Sequence, residues 1–110
     1  MAAVQVLEYL DAQGRSPYKE WFDNLGPIAA AKVTSALYRL EAGNFSNVKG
    51  VGAGVLERKI DFGPGYRIYF GKDGESVVIL LGGSGKKRQG AAIAAAQKRW
   101  ADYKQRKGAR

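Results

Sequence analysis

The apolar positions of this chain change period twice. Val4, Val6, Leu7, Tyr9 and Leu10 form a short apolar run that predicts a strand, closed by a turn over residues 11–14. Ser16 followed by Pro17 then predicts a helix start, because Ser accepts orphan amide bonds and Pro at the first helical position gives up no intrahelical donor. This helix is expected to run to about Leu25, where Gly26 and Pro27 stop it and begin another. In the second helix Ile28, Val33, Leu37 and Leu40 recur at spacings near three and four until Gly43. The two helices form a hairpin. Residues 44–54, with Gly50, Gly52 and Gly54, carry no apolar period and read as loop.

From Val55 the period becomes that of strands. Residues 55–62, 66–72 and 76–81 are three β-rich runs, separated by Gly63-Pro64-Gly65 and by Asp73-Gly74, both strong turn signals. They predict an antiparallel meander. Residues 77–81 are apolar throughout, which places that strand inside the sheet with a layer of structure on each face. Residues 82–85 read as a flexible loop. Over 86–107, Ile93, Ala96, Trp100 and Tyr103 are spaced by three and four residues, so the last segment is a helix with one apolar stripe and a basic opposite face. The expected class is α+β, in the order βααβββα, with residues 1–110 as one domain, a size that 110 residues suit.

Charge changes the picture more than composition does. The net charge of +8 is not spread evenly: residues 1–55 balance five Lys or Arg against five acids, while residues 56–110 carry thirteen against five. A localised positive field draws polyanions, and nucleic acid or an acidic protein becomes the expected partner. The chain contains no Cys and no His, which removes disulfides, thiolate or imidazole metal ligands and every His-based triad. No run approaches the ~20 apolar residues of a spanning helix, and the start lacks a basic n-region and an apolar h-region. No membrane association is expected, and the cytoplasm is the expected location.

Alternation locates candidate chemistry. In the run 55–62, Leu56, Arg58, Ile60 and Phe62 share one face and Val55, Glu57, Lys59 and Asp61 the other. In the next run Tyr66, Ile68 and Phe70 share a face, leaving Arg67 and Tyr69 on its reverse. A charged residue on a central strand is costly to bury alone, so that face is expected to be partly open, or Arg67 to pair with Asp61 or Glu57 across the hairpin. Lys86-Lys87-Arg88 opens a helix, where cations oppose the macrodipole; a cluster that breaks a local rule is either a functional feature or a solvated charge run. If strands and loop converge, Arg58, Arg67, Lys86, Lys87 and Arg88 line one basic concavity with Tyr69 inside it. Cations would hold phosphates there and a base would stack on an aromatic or a guanidinium, which makes it an RNA-shaped site. Lys59, Arg88, Lys98 and Arg99 are the candidate RNA-contacting cations, Lys98 and Arg99 the least consequential.

Other motifs fail. Residues 82–87, Gly-Gly-Ser-Gly-Lys-Lys, lack both the first Gly and the hydroxyl residue of a phosphate-cradling nucleotide loop. The glycines of 50–54 lack the strand, helix and spacing of a dinucleotide fingerprint. Asp61, Asp73 and Glu75 form no two-metal set, so neither a metal nor another cofactor is expected.

Gly63-Pro64-Gly65-Tyr66-Arg67-Ile68-Tyr69-Phe70, then Leu80-Leu81-Gly82-Gly83 with Lys86, Lys87 and Gln89, then an Ala-rich helix through Trp100, resemble the phage-derived, HigB-like "addiction module killer" branch of the RelE/ParE toxin superfamily. Tyr18-Lys19-Glu20-Trp21 and Leu25 are similar to that family's opening helical hairpin, so the resemblance is close to full length. It implies the toxin of a type II toxin–antitoxin system, neutralised by a cognate antitoxin that is often a helix-turn-helix DNA-binding protein. It also implies an endoribonuclease, an mRNA interferase that cuts messages on the ribosome without metal and so inhibits translation and growth.

In that chemistry a base takes the 2′-hydroxyl proton, the oxygen attacks phosphorus, cations stabilise the phosphorane and an acid protonates the leaving 5′-oxygen. A Lys is a poor base at neutral pH unless neighbouring cations lower its pKa. Carried over, Arg67 matches the family's strand arginine and would stabilise the phosphorane. Lys86 and Lys87 match the basic loop, one of them a base or acid, and Arg58 or Lys59 would position or activate the 2′-hydroxyl. The sequence departs from the RelE pattern in having no Tyr in the first turns of the last helix; Tyr69 is the substitute candidate for the acid, while Tyr103 fits the apolar stripe. ParE-like members imply the alternative, a toxin that binds and poisons DNA gyrase without cleaving anything. A domesticated RNA-binding module is a third reading.

Overall fold

The computed structural model describes residues 3–108. Its elements are β1 (Gln5–Glu8), α1 (Pro17–Asp23), α2 (Pro27–Glu41), β2 (Val48–Gly50), β3 (Leu56–Ile60), β4 (Tyr66–Lys72), β5 (Val77–Gly85) and α3 (Gln89–Gly108), the last preceded by a 3₁₀ turn (Lys86–Arg88). The strands form one sheet in the order β1-β5-β4-β3-β2. The α+β class and the helical hairpin follow the sequence pattern. Ser16 caps α1 by accepting the Lys19 amide at 3.0 Å, with Pro17 at the first helical position.

The meander β3-β4-β5 is antiparallel, but β1 joins β5 in parallel, so the sheet is mixed. A parallel neighbour needs a long crossover, and here the helical hairpin and the meander supply it. Two stretches expected to be loop are strand. Val48–Gly50 adds an edge strand to β3, and residues 82–85 continue β5, where Gly85 still faces Tyr66. Neither has an apolar period; the partner strand supplies their hydrogen bonds. Lys86–Arg88, expected to be the first turn of α3, is the 3₁₀ turn.

Both faces of the sheet are covered, as the apolar β5 requires. On one side α1 and α2 close a core of Tyr18, Val33, Leu40, Ile68, Phe70, Val78 and Leu80. Ile28 does not share in it and is exposed, because Ala29 and Val33 carry the inward stripe of α2. On the other side α3 lays Ala96 and Trp100 against Val55, Tyr69, Ile79 and Leu81. Gly71 makes this approach possible: a Cβ there would sit 2.5 Å from the Trp100 ring. Between Tyr69 and Phe70 the β4–β5 register slips, so Leu81 has no partner of its own. Such a bulge shifts alternation by one residue. It turns Ser84 onto the α3 face, where its Oγ meets the Tyr69 hydroxyl at 3.0 Å. Gly83 turns to the other face, against the Trp21 ring.

Candidate functional site

Arg67 is the centre of the candidate site. Register sets it between Lys59 of β3 and Ser84 of β5, and Glu57, one pleat away, faces Tyr69 and Lys49. Arg67 is only 7% exposed, and Glu57 is 1% exposed. The expected ion pair therefore forms with Glu57, at 3.8 Å from Arg67 Nε to Glu57 Oε1, a contact too long for a hydrogen bond. Among the described residues Arg67 Nε is a buried donor with no hydrogen-bond partner, and an Arg67 Nη donates to the Gly65 carbonyl at a long 3.4 Å. Glu57 is better held: Gln89, the first residue of α3, donates to its Oε2 at 3.0 Å, and Lys49 Nζ stands 3.9 Å from Oε1.

Arg67 opens onto two adjoining recesses. One, of about 340 Å³, lies under the 63–65 turn between Lys59, Asp61 and Lys86; the other, of about 300 Å³, lies between Lys49, Glu57 and Lys59. Lys59 and Asp61 border both and pair with each other at 3.5 Å. Four cations thus surround two carboxylates in a shallow, polar cleft, an arrangement suited to an anion.

The structure brings together Arg67, Lys59 and Lys86, and separates the other expected members. Arg58 is not part of this concavity: its side chain emerges on the α2 face, where it donates to the Asn44 carbonyl at 2.9 Å. Alternation itself forbids Arg58 and Arg67 from sharing a face, since Arg58 pairs with Ile68. Burial and the neighbouring Arg39 guanidinium lower the Arg58 pKa. The face around Tyr69 is not open either, because α3 covers it. Tyr69 is fully buried, and burial pushes its hydroxyl pKa up, against the lowering effect of the Ser84 bond.

Arg88 and Arg99 border a different recess, between α1 and α3, and Arg99 donates to the Leu81 carbonyl at 2.9 Å. Lys87 and Lys98 are exposed and border neither Arg67 recess. Sequence reasoning treated Glu57 only as a possible ion-pair partner and passed over Lys49. Glu57 shares its face of β3 with Lys59, a signal available from alternation; nothing in the sequence marked the strand that carries Lys49.

The arrangement, a mixed sheet with a helical hairpin on one face and a long helix on the other, is the fold of the E. coli toxin RelE. The chain superposes on a double arginine-to-alanine mutant of that toxin in the free state with a TM-score of 0.64, at 21% identity, over 88% of this chain and 97% of RelE. No protein-family model matches the sequence. The chain belongs to the same family as an uncharacterized protein of Haemophilus influenzae, to which it is 38% identical over 73 residues, 66% of this chain and 74% of that protein. Among the described residues no helix is long and apolar enough to cross a membrane.

Proposed function

We propose that this protein is the toxin of a type II toxin–antitoxin system, of the HigB-like, phage-derived branch, and a metal-independent endoribonuclease that cuts mRNA on the ribosome. The observation that carries the reading is Arg67: a buried guanidinium whose Nε makes no hydrogen bond, in a cleft flanked by Lys59 and Lys86. A buried donor without a partner is costly and is kept where a ligand completes it.

In the reaction the 2′-oxygen attacks the adjacent phosphorus as its proton passes to a carboxylate, for which Glu57 is placed beside Arg67. Arg67 and Lys59 stabilise the charge that develops on the phosphorane. The P–O5′ bond breaks and the leaving oxygen takes a proton from the Lys86 ammonium, giving a 2′,3′-cyclic phosphate and a 5′-hydroxyl. Lys87, outside the cleft, serves as an outer phosphate contact. The partner would be a cognate antitoxin, a helix-turn-helix DNA-binding protein in this branch.

One observation favours the other reading, a ParE-like toxin that poisons gyrase by binding. The first turns of α3 hold Gln89, Gly90, Ala91, Ala92 and Ile93, with no tyrosine to act as acid, and Tyr69 is sealed away. Induced expression of wild type and Arg67→Ala in a bacterial host, with growth and transcript 5′ ends recorded together, separates the two. Growth arrest with new cuts inside translated messages, both abolished by the substitution, is expected for the nuclease. Arrest with intact messages moves the target to gyrase.

A further inference from the structure

Arg58, separated from Arg67 by the sheet, lies in a cation cluster of its own. Lys32 and Arg39 of α2, Arg58 and Lys59 of β3, and Asn47 and Asp61 border a recess of about 260 Å³. Lys59 is matched by Asp61, which stands at the rim with its side chain 78% exposed. Among the described residues no carboxylate lies within 4.0 Å of the Lys32, Arg39 or Arg58 side chains. Lys32 instead sits over the Phe62 ring at 5.6 Å.

Arg58 is the least comfortable of the three. It is 4% exposed and donates to the Asn44 carbonyl, so among the described residues most of its five donors have no protein acceptor. Those donors are not sealed in, since Arg67 Nε is the buried side-chain atom left unpaired among the described residues. They face the recess. Two arginines and a lysine converging without a counter-ion repel one another, and at Arg58 burial removes much of the water that would screen the charge. A bound anion relieves both penalties, and paired guanidinium forks match the oxygens of a phosphate.

The position of the recess identifies the phosphate. Lys59 and Asp61 border this recess and both recesses at Arg67, so the three adjoin at the β2–β3 edge of the sheet. We propose that Lys32, Arg39 and Arg58 form a second phosphate-binding site, which holds the backbone of single-stranded RNA where the strand leaves the Arg67 cleft. The inference rests on the nuclease reading and extends it: one phosphate is attacked at Arg67 while a neighbouring one is anchored on the other side of the strand edge. Anchoring away from the reacting atoms positions the scissile phosphate.

The test is the affinity of the purified protein for a short single-stranded RNA across a salt series, for wild type, Lys32→Ala, Arg39→Ala, Arg58→Lys and Arg67→Ala. Lys32 and Arg39 are exposed, so their removal leaves the fold intact. Arg39→Ala is expected to weaken binding severalfold and to reduce the slope of log affinity against log salt by about 0.7, the loss of one phosphate contact to a single strand. Inorganic phosphate should shift the Arg58 Nε resonance in wild type and not in Arg39→Ala.

If wild type binds and cuts RNA while Lys32→Ala and Arg39→Ala keep its affinity and slope, the second site is overturned and the nuclease reading stands. If wild type binds no RNA, the second site is overturned, while the nuclease reading is decided by the transcript ends of the expression experiment. If the substitutions weaken only an acidic antitoxin segment, the recess is a protein-docking surface and the proposal is overturned.

Discussion

Glu57 and Arg67 meet on the diagonal across β3 and β4 with 3.8 Å between Oε1 and Nε, both side chains buried, and Gln89 of α3 holds the other carboxylate oxygen at 3.0 Å. The pair attracts without forming a hydrogen bond, so Arg67 keeps a donor in reserve. If Glu57 takes the 2′-hydroxyl proton, Glu57→Gln keeps the shape and the contact with Gln89 but removes the base. RNA cleavage is then expected to fall about 10²- to 10³-fold, within the range for general-base removal. Single-turnover cleavage beside a thermal melt checks this: near wild-type cleavage would leave Glu57 a structural counter-ion.

Tyr69 lies beside this pair, opposite Glu57 in register, with its hydroxyl on Ser84 at 3.0 Å, and burial holds that hydroxyl above its ordinary pKa. A group so placed is part of the α3-side core rather than a proton donor in the cleft. Tyr69→Phe is expected to cost about 1 kcal/mol of stability, the worth of one buried hydrogen bond, and to keep cleavage within tenfold. Denaturant midpoints and cleavage rates measured on the same samples decide between support and acid, since an acid would lose far more activity than stability.

Gly71 carries the packing of α3 onto the sheet. A Cβ at this position would stand 2.5 Å from Trp100 ring carbons, closer than any real contact allows. Gly71→Ala is therefore expected to destabilise by about 1–3 kcal/mol, as overpacked cores do. Gly74→Ala, where a Cβ meets nothing within 4 Å although φ is +76°, should cost only the strain of that backbone conformation. Urea unfolding of the two variants gives the comparison.

Acid should loosen the far end of α3. Hydrogen bonds from Tyr9 and then Arg106 hold the Asp102 carboxyl below its ordinary value of 3.8, and Lys107 and then Tyr103 do the same for Asp73. A carboxylate with a lowered folded pKa stabilises the fold above its unfolded value and stops doing so as pH falls through the folded one. The urea midpoint is expected to hold from neutrality to about pH 4 and to drop below it. Asp102→Asn should lose part of that drop, and an unchanged pH profile in the variant would count against the contribution of Asp102.

Much of the architecture was legible along the chain. Ser16-Pro17 and Gly26-Pro27 mark helix starts through capping and a fixed φ, Gly63-Pro64-Gly65 and Asp73-Gly74 mark the two turns of the meander, and the apolar β5 demanded cover on both faces. These are local effects, in which one residue's backbone preference or the period of its neighbours decides the outcome. The same alternation set Arg67 opposite Ile68 in its strand, and so named the centre of the site.

What the sequence by itself determined is this set of elements, the residues that share a face within each strand, and the basic excess of the second half. Tertiary structure decided what lies across from each face. Val48–Gly50 is a strand because β3 offers it partners, and residues 82–85 are strand because β4 does. The slip at Leu81 moves Ser84 to the Arg67 face, α3 seals Tyr69, and the sheet divides Arg58 from Arg67, splitting one expected cluster into two. A strand's alternation is fixed by its own covalent geometry, whereas pairing, register slips and cover depend on segments distant in the chain, whose contacts exist only once the whole core has closed.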